Sequence, residues 1–317
     1  MTDPRAPRPF DPASFDDRAW GPAWSAARRR GSEHELTAWL GLAMAVCDEA
    51  DAIALRHFRR DLRIDTKPDR TYVTQADRAI EELVRDRIRT VHPDHGVVGE
   101  EYGTEPATGS VRWYVDPIDG THNYIRGIPL FATLLAVERD GDLQVGVVSA
   151  PALGERWFAW RGGGARVRRA GETGRILVSA VASIEDAQVL YSSPSEVRSS
   201  GWAPGFDGLI HRAWRERGFG DFWGYALLAE GGAEAMIEVG IHPWDLAAPI
   251  VLVEEAGGRV TDLGGHRGVD VASIVATNGR LHRAVLEALT TRPTEREATA
   301  GPEAATGAGA AAAPPGT

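Results

Sequence analysis

The stretch RWYVDPIDGTHNYIRGIP, at residues 112–129, decides the fold of this chain. Its apolar start leads into Asp116, and Pro117 follows at once. Because proline disfavours helical backbone at the residue before it, Asp116 is predicted to end a β-strand. Asp119 comes three residues later, so two carboxylates leave the strand together. Carboxylate oxygens suit hard divalent cations, and the pair is therefore a candidate metal site.

A short helix is predicted directly after these two carboxylates. Gly120 allows a sharp turn, and Thr121 can cap a helix that Gly127 and Pro129 would end. The free backbone N–H groups at a helix start bind anions such as phosphate. An isolated Asp-Pro or Asp-Gly pair is usually no more than an acidic loop. The whole DPIDGT string after an apolar strand instead predicts a cation site beside a phosphate site.

Three further acidic motifs are weak when each is taken alone. The stretch VVGEEYG places Glu100 and Glu101 after a strand-like run, where a solvated pair is the ordinary interpretation. The stretch GIHPWDLAAP opens a helix with Asp245, a common residue at a helix start. The stretch TKPDRTYVTQAD contains Thr74 and Asp77, which are also interpretable as a capping motif. The order of the motifs is more informative than any one of them.

Together the motifs form the series T-x-x-D, G-E-E, D-P-I-D-G-T, W-D and E-A-G-G. This series resembles the inositol monophosphatase superfamily over roughly residues 35–290. The resemblance implies an α/β (α+β) fold, a layered α-β-α-β-α sandwich of the inositol monophosphatase or sugar phosphatase type. It also implies a Mg²⁺-dependent hydrolase of a small phosphate monoester, commonly a homodimer, that uses metal-activated water.

The same resemblance assigns metal ligands by position, with two to three Mg²⁺ ions in each active site. For the first ion it implies Glu100, Asp116 and the backbone carbonyl of Ile118. For the second ion it implies Asp116, Asp119 and Asp245. Glu101 is implied as a contributor to a weaker third site through water.

The resemblance also implies how water and phosphate are held. Thr121 and Asp77 match the pair that orients and activates the attacking water, with Glu100 as the third catalytic group. The amides of Gly120 and Thr121 match the phosphate cradle. No covalent phosphoenzyme is implied.

Three stretches are most similar to the histidinol-phosphatase branch, namely TKPDRTYVTQAD, NYIRGIPLFATLLAVERDG and RGFGDFWGYALLAEG. The last corresponds to the loop over the leaving group and offers Arg217 and Asp221. A histidinol group carries an amine and an imidazole that can be protonated, so carboxylates at Asp221 and Glu238 would suit it. A helix cap is the alternative role for Asp221. The implied substrate contacts are Gly120, Thr121, Arg217, Asp221, Glu238 and Asp245.

Other functions stay open at this point. The stretch GIHPWD is more similar to general inositol monophosphatases, which favours an inositol-1-monophosphatase or a broad sugar-phosphate phosphatase. His122 is interpreted as a solvated loop residue or, less often, as a substrate contact. A catalytically silent protein on this scaffold would have lost metal ligands. The ligands Glu100, Asp116, Asp119 and Asp245 are all present, and so is Thr121.

The domain organisation follows composition. Residues 1–30 are rich in Pro, Arg and Asp and are predicted to form a flexible arm. Residues 31–290 are predicted to form the phosphatase domain, with an N-terminal α+β part at about 31–165 and a C-terminal α/β part at about 166–290. Residues 291–317 are mostly Ala, Gly, Pro and Thr, and such a tail is predicted to be disordered because it cannot bury enough apolar surface.

Periodicity predicts alternating helices and strands within that domain. The predicted helices cover about 33–60, 74–88, 224–232, 244–256 and 281–289. The predicted strands cover about 96–99, 111–115, 130–138, 143–149, 156–160 and 236–239, with two more in RVTDL and ASIVATN. Asp140-Gly141 is predicted to form a hairpin turn, and Gly162–Ala165 another turn.

Composition excludes several classes of protein. The 317 residues carry a formal net charge of −10, which argues against a general nucleic-acid or membrane surface. One cysteine, Cys47, permits neither an internal disulfide nor a cysteine-based zinc site. The N-terminus has no apolar core of the kind that signal peptides require, and a cytoplasmic enzyme is predicted.

Overall fold

The computed structural model of the protein describes residues 22–68 and 71–290. Within these residues the chain forms nine α-helices and fifteen β-strands. The helices are α1 (Pro22–Ala27), α2 (Glu33–His57), α3 (Gln75–Val91), α4 (Thr121–Ile125), α5 (Pro194–Val197), α6 (Ala203–Arg212), α7 (Asp221–Ala229), α8 (Pro243–Glu255) and α9 (His282–Thr290). The strands are β1 (Ile64–Thr66), β2 (Tyr72–Thr74), β3 (Gly96–Gly99), β4 (Gly103–Glu105), β5 (Val111–Asp119), β6 (Ala132–Arg139), β7 (Asp142–Ala150), β8 (Glu155–Trp160), β9 (Gly164–Arg169), β10 (Glu172–Arg175), β11 (Gln188–Tyr191), β12 (Arg215–Arg217), β13 (Ala235–Val239), β14 (Arg259–Thr261) and β15 (Ser273–Thr277).

The two long N-terminal helices begin with capping boxes. At α2, the Ser32 hydroxyl accepts from the Glu35 amide at 3.2 Å, and the Glu35 carboxylate accepts from the Ser32 amide at 2.8 Å. At α3, Thr74 and Asp77 form the equivalent pair. Each box satisfies two amides that a helix start would otherwise leave unpaired, which fixes where the helix begins.

The first half of the chain builds a large sheet. Its strand order is β10-β9-β8-β7-β6-β5-β3-β4, and neighbours are antiparallel except for the parallel pair β3 and β5. Asp140 and Gly141 join β6 to β7 with φ values of 53° and 79°. Two positive φ values are typical of the tight turn that suits twisted hairpins, so the predicted Asp-Gly hairpin is confirmed.

The second half builds a smaller sheet. Its order is β12-β11-β13-β15-β14, with β11 parallel to both of its neighbours and the remaining pairs antiparallel. The large sheet runs on to Arg175, so the predicted division near residue 165 falls inside β9. The physical boundary between the two parts is the segment between β10 and β11.

Buried side chains show five layers. Trp113 of β5 packs with α2 and α3, whereas the next residue, Tyr114, packs with α7 and α8. Met236 of β13 belongs to the same central core, whereas Ile237 packs with α6 and α9. Since successive strand residues face opposite sides, both sheets are covered on both faces. The predicted α-β-α-β-α sandwich is therefore confirmed.

The structure departs from the predicted flexible arm at residues 22–30. Helix α1 lies in this range, and Arg28 and Arg30 each pair with Asp142 at 2.7 Å. The Ser25 side chain is buried and donates to Glu255. These polar contacts have no sequence period, which is why the pattern did not predict them. The predicted tail at 291–317 lies outside the described residues.

Candidate active site

A cavity of about 680 Å³ opens where the end of β5 meets the starts of α4, α7 and α8. Nine of the twelve predicted site residues line this cavity. They are Glu100, Asp116, Ile118, Asp119, Gly120, Thr121, Asp221, Glu238 and Asp245. Asp77, Glu101 and Arg217 are not among its lining residues.

Asp116 and Asp119 reach the cavity through an irregularity in β5. The strand does not end at Asp116 as predicted but continues to Asp119, and its register against β6 shifts between these two residues. The Thr133 hydroxyl donates to the Pro117 carbonyl at 2.8 Å and so ties down the irregular segment. A bulge re-aims side chains, which lets both carboxylates face one cavity. Asp116 is 2% exposed, and its Oδ1 has no hydrogen-bond partner in the part of the chain that the structure describes.

Asp245 joins these two carboxylates from α8. Its carboxylate accepts from the His242 amide at 2.8 Å, so it also closes the start of the helix. The ordinary interpretation of Asp245 as a helix-start residue is thus correct but incomplete. One carboxylate oxygen from each of Asp116, Asp119 and Asp245 lies within 4.8 Å of the others, a spacing that could hold a metal ion.

The three carboxylates disfavour each other's charge. Burial, together with Glu100 and Asp119, holds the pKa of Asp116 well above its usual range. Burial and the nearby Asp221 do the same for the pKa of Asp119. Burial and Glu100 raise the pKa of Asp245 to about 7, against the hydrogen bond from the His242 amide. Such a cluster can stay ionised only when cations lie among its members, and its oxygen donors fit a hard divalent ion.

Glu100 and Glu101 lie beside this cluster and share a lysine. The Lys67 ammonium contacts Glu100 at 2.8 Å and Glu101 at 2.6 Å. Burial raises the pKa of Glu101 to about 7, although the Lys67 hydrogen bond opposes this. Burial works against the charge of Lys67, but the bonds from both glutamates hold its pKa above the usual value. Glu101 lines a neighbouring cavity, together with Lys67 and Glu100.

The predicted water-activating pair is not in direct contact. The Thr121 hydroxyl donates to the Ile118 carbonyl at 3.0 Å, and the Asp77 carboxylate accepts from the Thr74 hydroxyl at 2.6 Å. Burial raises the pKa of Asp77 to about 6, while the bonds from Thr74 oppose this. Asp77 Oδ1 is buried and has no hydrogen-bond partner among the described residues. One acceptor position on Asp77 is therefore unused by the described part of the chain.

Helix α4 begins at Thr121, the residue that was predicted to cap it, so its cap lies one residue earlier than predicted. Gly120 is the N-cap with φ +80°, and Thr121 is the first helical residue. A Cβ atom on Gly120 would lie 2.9 Å from the Leu130 carbonyl, which only a shift of backbone could relieve. Glycine is therefore required here, because the left-handed backbone and the close carbonyl both exclude a side chain.

Asp221 stands at the start of α7 in a strained conformation. Its φ is +55°, which is uncommon for a residue other than glycine, and strain of this kind often marks a functional site. The N-cap of α7 is Gly220, and no side chain caps this helix, so the alternative capping role of Asp221 is wrong. Burial raises the pKa of Asp221, and nearby His122 opposes the rise. The next amide, that of Phe222, donates to Asp119 at 2.7 Å.

Glu238 lies on the same side of the cavity as a second acidic group. It is 6% exposed, and the Tyr225 hydroxyl donates to it at 2.7 Å. Burial raises its pKa to about 8, and Asp221 adds to the rise while the Tyr225 bond opposes it. A positively charged ligand group would find two carboxylates here whose repulsion it relieves.

Arg217 is placed away from this acidic side. It is the last residue of β12, at the edge of the small sheet, and its guanidinium donates to the Glu216 carbonyl at 2.6 Å. Arg217 is not among the described residues that line the cavity, and its contact with the substrate stays a prediction.

The sequence profile described as Inositol monophosphatase family matches residues 35–294, well over half of the chain. The chain belongs to the inositol monophosphatase family. A histidinol-phosphatase of Mycobacterium tuberculosis is 48% identical over 257 residues, which cover 79% of this chain and 97% of that relative. An inositol-1-monophosphatase of Mesorhizobium japonicum is 34% identical over 249 residues, covering 73% of this chain and 87% of that relative.

The fold of this chain is similar to that of a solved structure. The extragenic suppressor protein suhB from Bartonella henselae has a TM-score of 0.74 at 29% identity, covering 80% of this chain and 99% of that one. The family and these phosphatase relatives show that this chain is a phosphoric monoester hydrolase. None of the helices in the described residues combines the length and the hydropathy needed to cross a bilayer.

Several lining residues of this inositol monophosphatase family member were not predicted from its sequence. Lys67 and Tyr72 come from the β1–β2 hairpin, and the Tyr72 ring meets the His122 ring edge-on at 5.3 Å. Tyr225 lies one helical turn after Asp221 on α7, a spacing that places both on one helix face. The signal for Tyr225 was therefore present in GDFWGYALL, whereas Lys67 depended on a contact between distant segments.

Proposed function

We propose that this chain is a Mg²⁺-dependent histidinol-phosphate phosphatase, which converts L-histidinol phosphate to L-histidinol in histidine biosynthesis. The observation that carries the proposal is the acidic leaving-group side of the cavity. Asp221 and Glu238 line the cavity that the carboxylate cluster also lines, and burial raises the pKa of both. A neutral polyol would not call for this pair, whereas a cationic amine or imidazolium would be attracted to it.

The proposed metal ligands are Glu100, Asp116, the Ile118 carbonyl, Asp119 and Asp245, with Glu101 at a weaker third position. Support comes from the unpartnered Asp116 Oδ1 and from the three carboxylates within 4.8 Å of one another. When bound, two to three Mg²⁺ ions would neutralise these carboxylates, activate water and stabilise the leaving oxygen. The residues of this chain would hold the ions and orient the attacking water and the phosphate.

Asp77 and Thr121 are proposed to orient the attacking water. The free Oδ1 of Asp77 can accept one hydrogen bond from such a water, and the Thr121 hydroxyl oxygen can accept another. The water oxygen would form the new bond to phosphorus as the bond to the histidinol oxygen breaks. The amides of Gly120 and Thr121 are proposed to bind the phosphate at the start of α4.

The relatives support the choice of substrate. Histidinol-phosphatases of Mycobacterium tuberculosis and Streptomyces coelicolor are 48% and 44% identical to this chain. The inositol-1-monophosphatase relative is 34% identical. We further propose that the protein is cytoplasmic and forms the homodimer that the sequence resemblance implies; sedimentation of the purified protein would test the dimer.

The deciding assay compares phosphate release from L-histidinol phosphate and from inositol 1-phosphate in the presence of Mg²⁺. We expect kcat/KM to favour L-histidinol phosphate by at least about tenfold, which corresponds to about 1.4 kcal/mol of transition-state binding. A tenfold preference for inositol 1-phosphate would overturn the proposal.

Asp221→Asn tests the observation behind the proposal. We expect kcat/KM for L-histidinol phosphate to fall about tenfold or more, because a hydrogen bond to a charged group contributes about 1.5–3 kcal/mol. On inositol 1-phosphate the loss should stay below about threefold. Asp207→Asn is the matched control, since Asp207 pairs with Arg198 on the surface. Equal losses on both substrates would show that Asp221 only shapes the backbone.

An inositol-1-monophosphatase or broad sugar-phosphate phosphatase is the alternative. The features in its favour are the GIHPWD stretch and the position of Arg217 outside the cavity. Comparable kcat/KM values on inositol, sugar and histidinol phosphates would support it.

A further inference from the structure

A buried ion pair lies behind the turn that carries Glu100 and Glu101. Glu81 on α3 is 0% exposed, and Arg85, one helical turn later, is 8% exposed. Arg85 donates to Glu81 Oε1 from Nε at 2.9 Å and from Nη2 at 2.7 Å. Helix ion pairs at this spacing usually lie at the surface and contribute little, so a buried pair calls for an explanation.

The pair binds the backbone of that turn at three successive residues. Glu81 Oε2 accepts from the Glu101 amide at 2.7 Å, and Oε1 accepts from the Tyr102 amide at 3.1 Å. Arg85 Nη2 donates to the Gly103 carbonyl at 2.5 Å. The Glu81 carboxylate thus accepts hydrogen bonds from two backbone amides that would otherwise have no partner after the end of β3.

The strand itself is shaped to admit the Glu81 side chain. A Cβ atom on Gly99 would lie 2.1 Å from Glu81 Oε1, so any larger residue would push the carboxylate away from the turn. On the other side, the Glu100 amide donates to the Val115 carbonyl of β5 at 3.3 Å. Glu100 is therefore held between β5, which leads into Asp116, and the buried Glu81–Arg85 pair.

We propose that Glu81 is a positioning residue for the metal centre, acting through the backbone that carries Glu100 and Glu101. Glu81 does not touch the metal or substrate; it fixes where two of the proposed ligands point, and Arg85 balances its charge. The inference rests on the proposed metal-dependent function. Groups behind metal ligands commonly change metal affinity by about 10–100-fold when they are removed.

Direct Mn²⁺ binding to the metal-free protein, followed by electron paramagnetic resonance, tests this role without relying on turnover. In Glu81→Gln we expect binding to weaken about tenfold or more, because one of the two carboxylate oxygens becomes an NH₂ group, which cannot accept from the backbone amide that it faces. Glu81→Asp keeps the charge but is one methylene too short, so it should weaken Mn²⁺ binding by a similar factor. Wild-type affinity in either variant, once it is shown to fold, would overturn the positioning role.

Asp51→Asn provides a matched control. Asp51 on α2 accepts from Arg156 at 2.6 Å and from Ser149 at 2.9 Å, a part-buried ion pair that does not line the cavity. This variant should lose stability in urea but keep its Mn²⁺ affinity within about twofold. If Asp51→Asn weakened Mn²⁺ as much as Glu81→Gln, the effect would be general destabilisation and the inference would fail. A wild-type protein that binds no Mn²⁺ would overturn the proposed metal centre instead.

Discussion

Helix α8 carries an acidic cluster at each end, and the two clusters are neutralised in different ways. At its start, Asp245 faces Asp116 and Asp119. At its end, Glu254 contacts Arg161, and Arg267 donates to it at 2.7 Å. The first cluster lines the cavity, whereas the second is buried under the N-terminal segment that contains α1.

The pKa values of the two ends shift in opposite directions. Burial raises the pKa of Asp245 to about 7. Burial also opposes the charge of Glu254, but Arg267 and Arg161 hold its pKa below the usual value. The helix dipole would favour the opposite result, since it stabilises negative charge at the start of a helix. Because burial disfavours the charge of both groups, the neighbouring side chains account for the difference between them: Glu254 lies beside two arginines, whereas Asp245 lies among other carboxylates.

Among the variants that test this contrast between the two ends of α8, Asp116→Asn should change activity the most. We expect kcat on L-histidinol phosphate to fall about a thousandfold, because metal ions contribute several kcal/mol to transition-state stabilisation. In EDTA, the same variant should unfold at higher temperature than the wild type, since one of several repelling carboxylates has become neutral. Phosphate release and thermal unfolding measure the two effects.

A variant that kept substantial turnover, or melted earlier in EDTA, would contradict the assignment of Asp116 to a cluster that lacks its own cations. Ser195→Ala is a suitable control, because Ser195 is exposed and its hydroxyl forms a hydrogen bond with the Ser193 hydroxyl.

Glu254→Gln should have the reverse effect, with lower stability and unchanged turnover. Removing one partner of a buried ion pair leaves the other charge uncompensated, and the free energy of unfolding should fall by about 3 kcal/mol. The proposed catalytic groups are untouched, so kcat/KM per folded molecule should stay within about twofold. Urea unfolding and steady-state assays on the same preparation separate these results. Lost turnover at full stability would mean that the second cluster communicates with the active site.

Much of the fold was predictable because apolar runs mark strands that are covered on both faces. β6 and β7 are almost wholly buried, and their sequences contain few interruptions. Short edge strands that are exposed were not predictable in this way. β4 and β10 are mostly exposed and polar, and they form only because a neighbouring strand offers its backbone.

The site residues likewise divide into those that local sequence predicts and those that depend on tertiary contacts. Asp116, Asp119 and Asp245 were predictable because each belongs to a local motif that the backbone presents in one way. Lys67 and Glu81 were not, because their roles come from segments more than a dozen residues apart that only the tertiary fold brings together. Thr74 was the predictable partner of Asp77, since a capping box is a local signal.

The pH dependence of stability should also distinguish the two ends of α8, because the groups at each end contribute with opposite sign. In the metal-free protein the pKa values of Asp77, Asp245 and Glu238 are raised to about 6, 7 and 8. The folded state then binds more protons than the unfolded state above the unfolded pKa values, so stability falls as pH rises towards the folded values. Glu254 has the opposite sign, because its contribution is complete above its unfolded pKa and is lost only in acid.

Urea unfolding in EDTA should therefore show that the free energy of unfolding falls as pH rises from about 5 to about 8. Saturating Mg²⁺ should reduce this slope, because the cation binds the ionised form of Asp245 and its partner carboxylates and so stabilises the folded state more as pH rises. The slope should survive in Glu254→Gln and shrink in Asp116→Asn, which ties it to the cluster at the start of α8. A flat profile in EDTA, or one that Mg²⁺ leaves unchanged, would mean that the first cluster is already neutralised within the chain and that the contrast between the two ends is wrong.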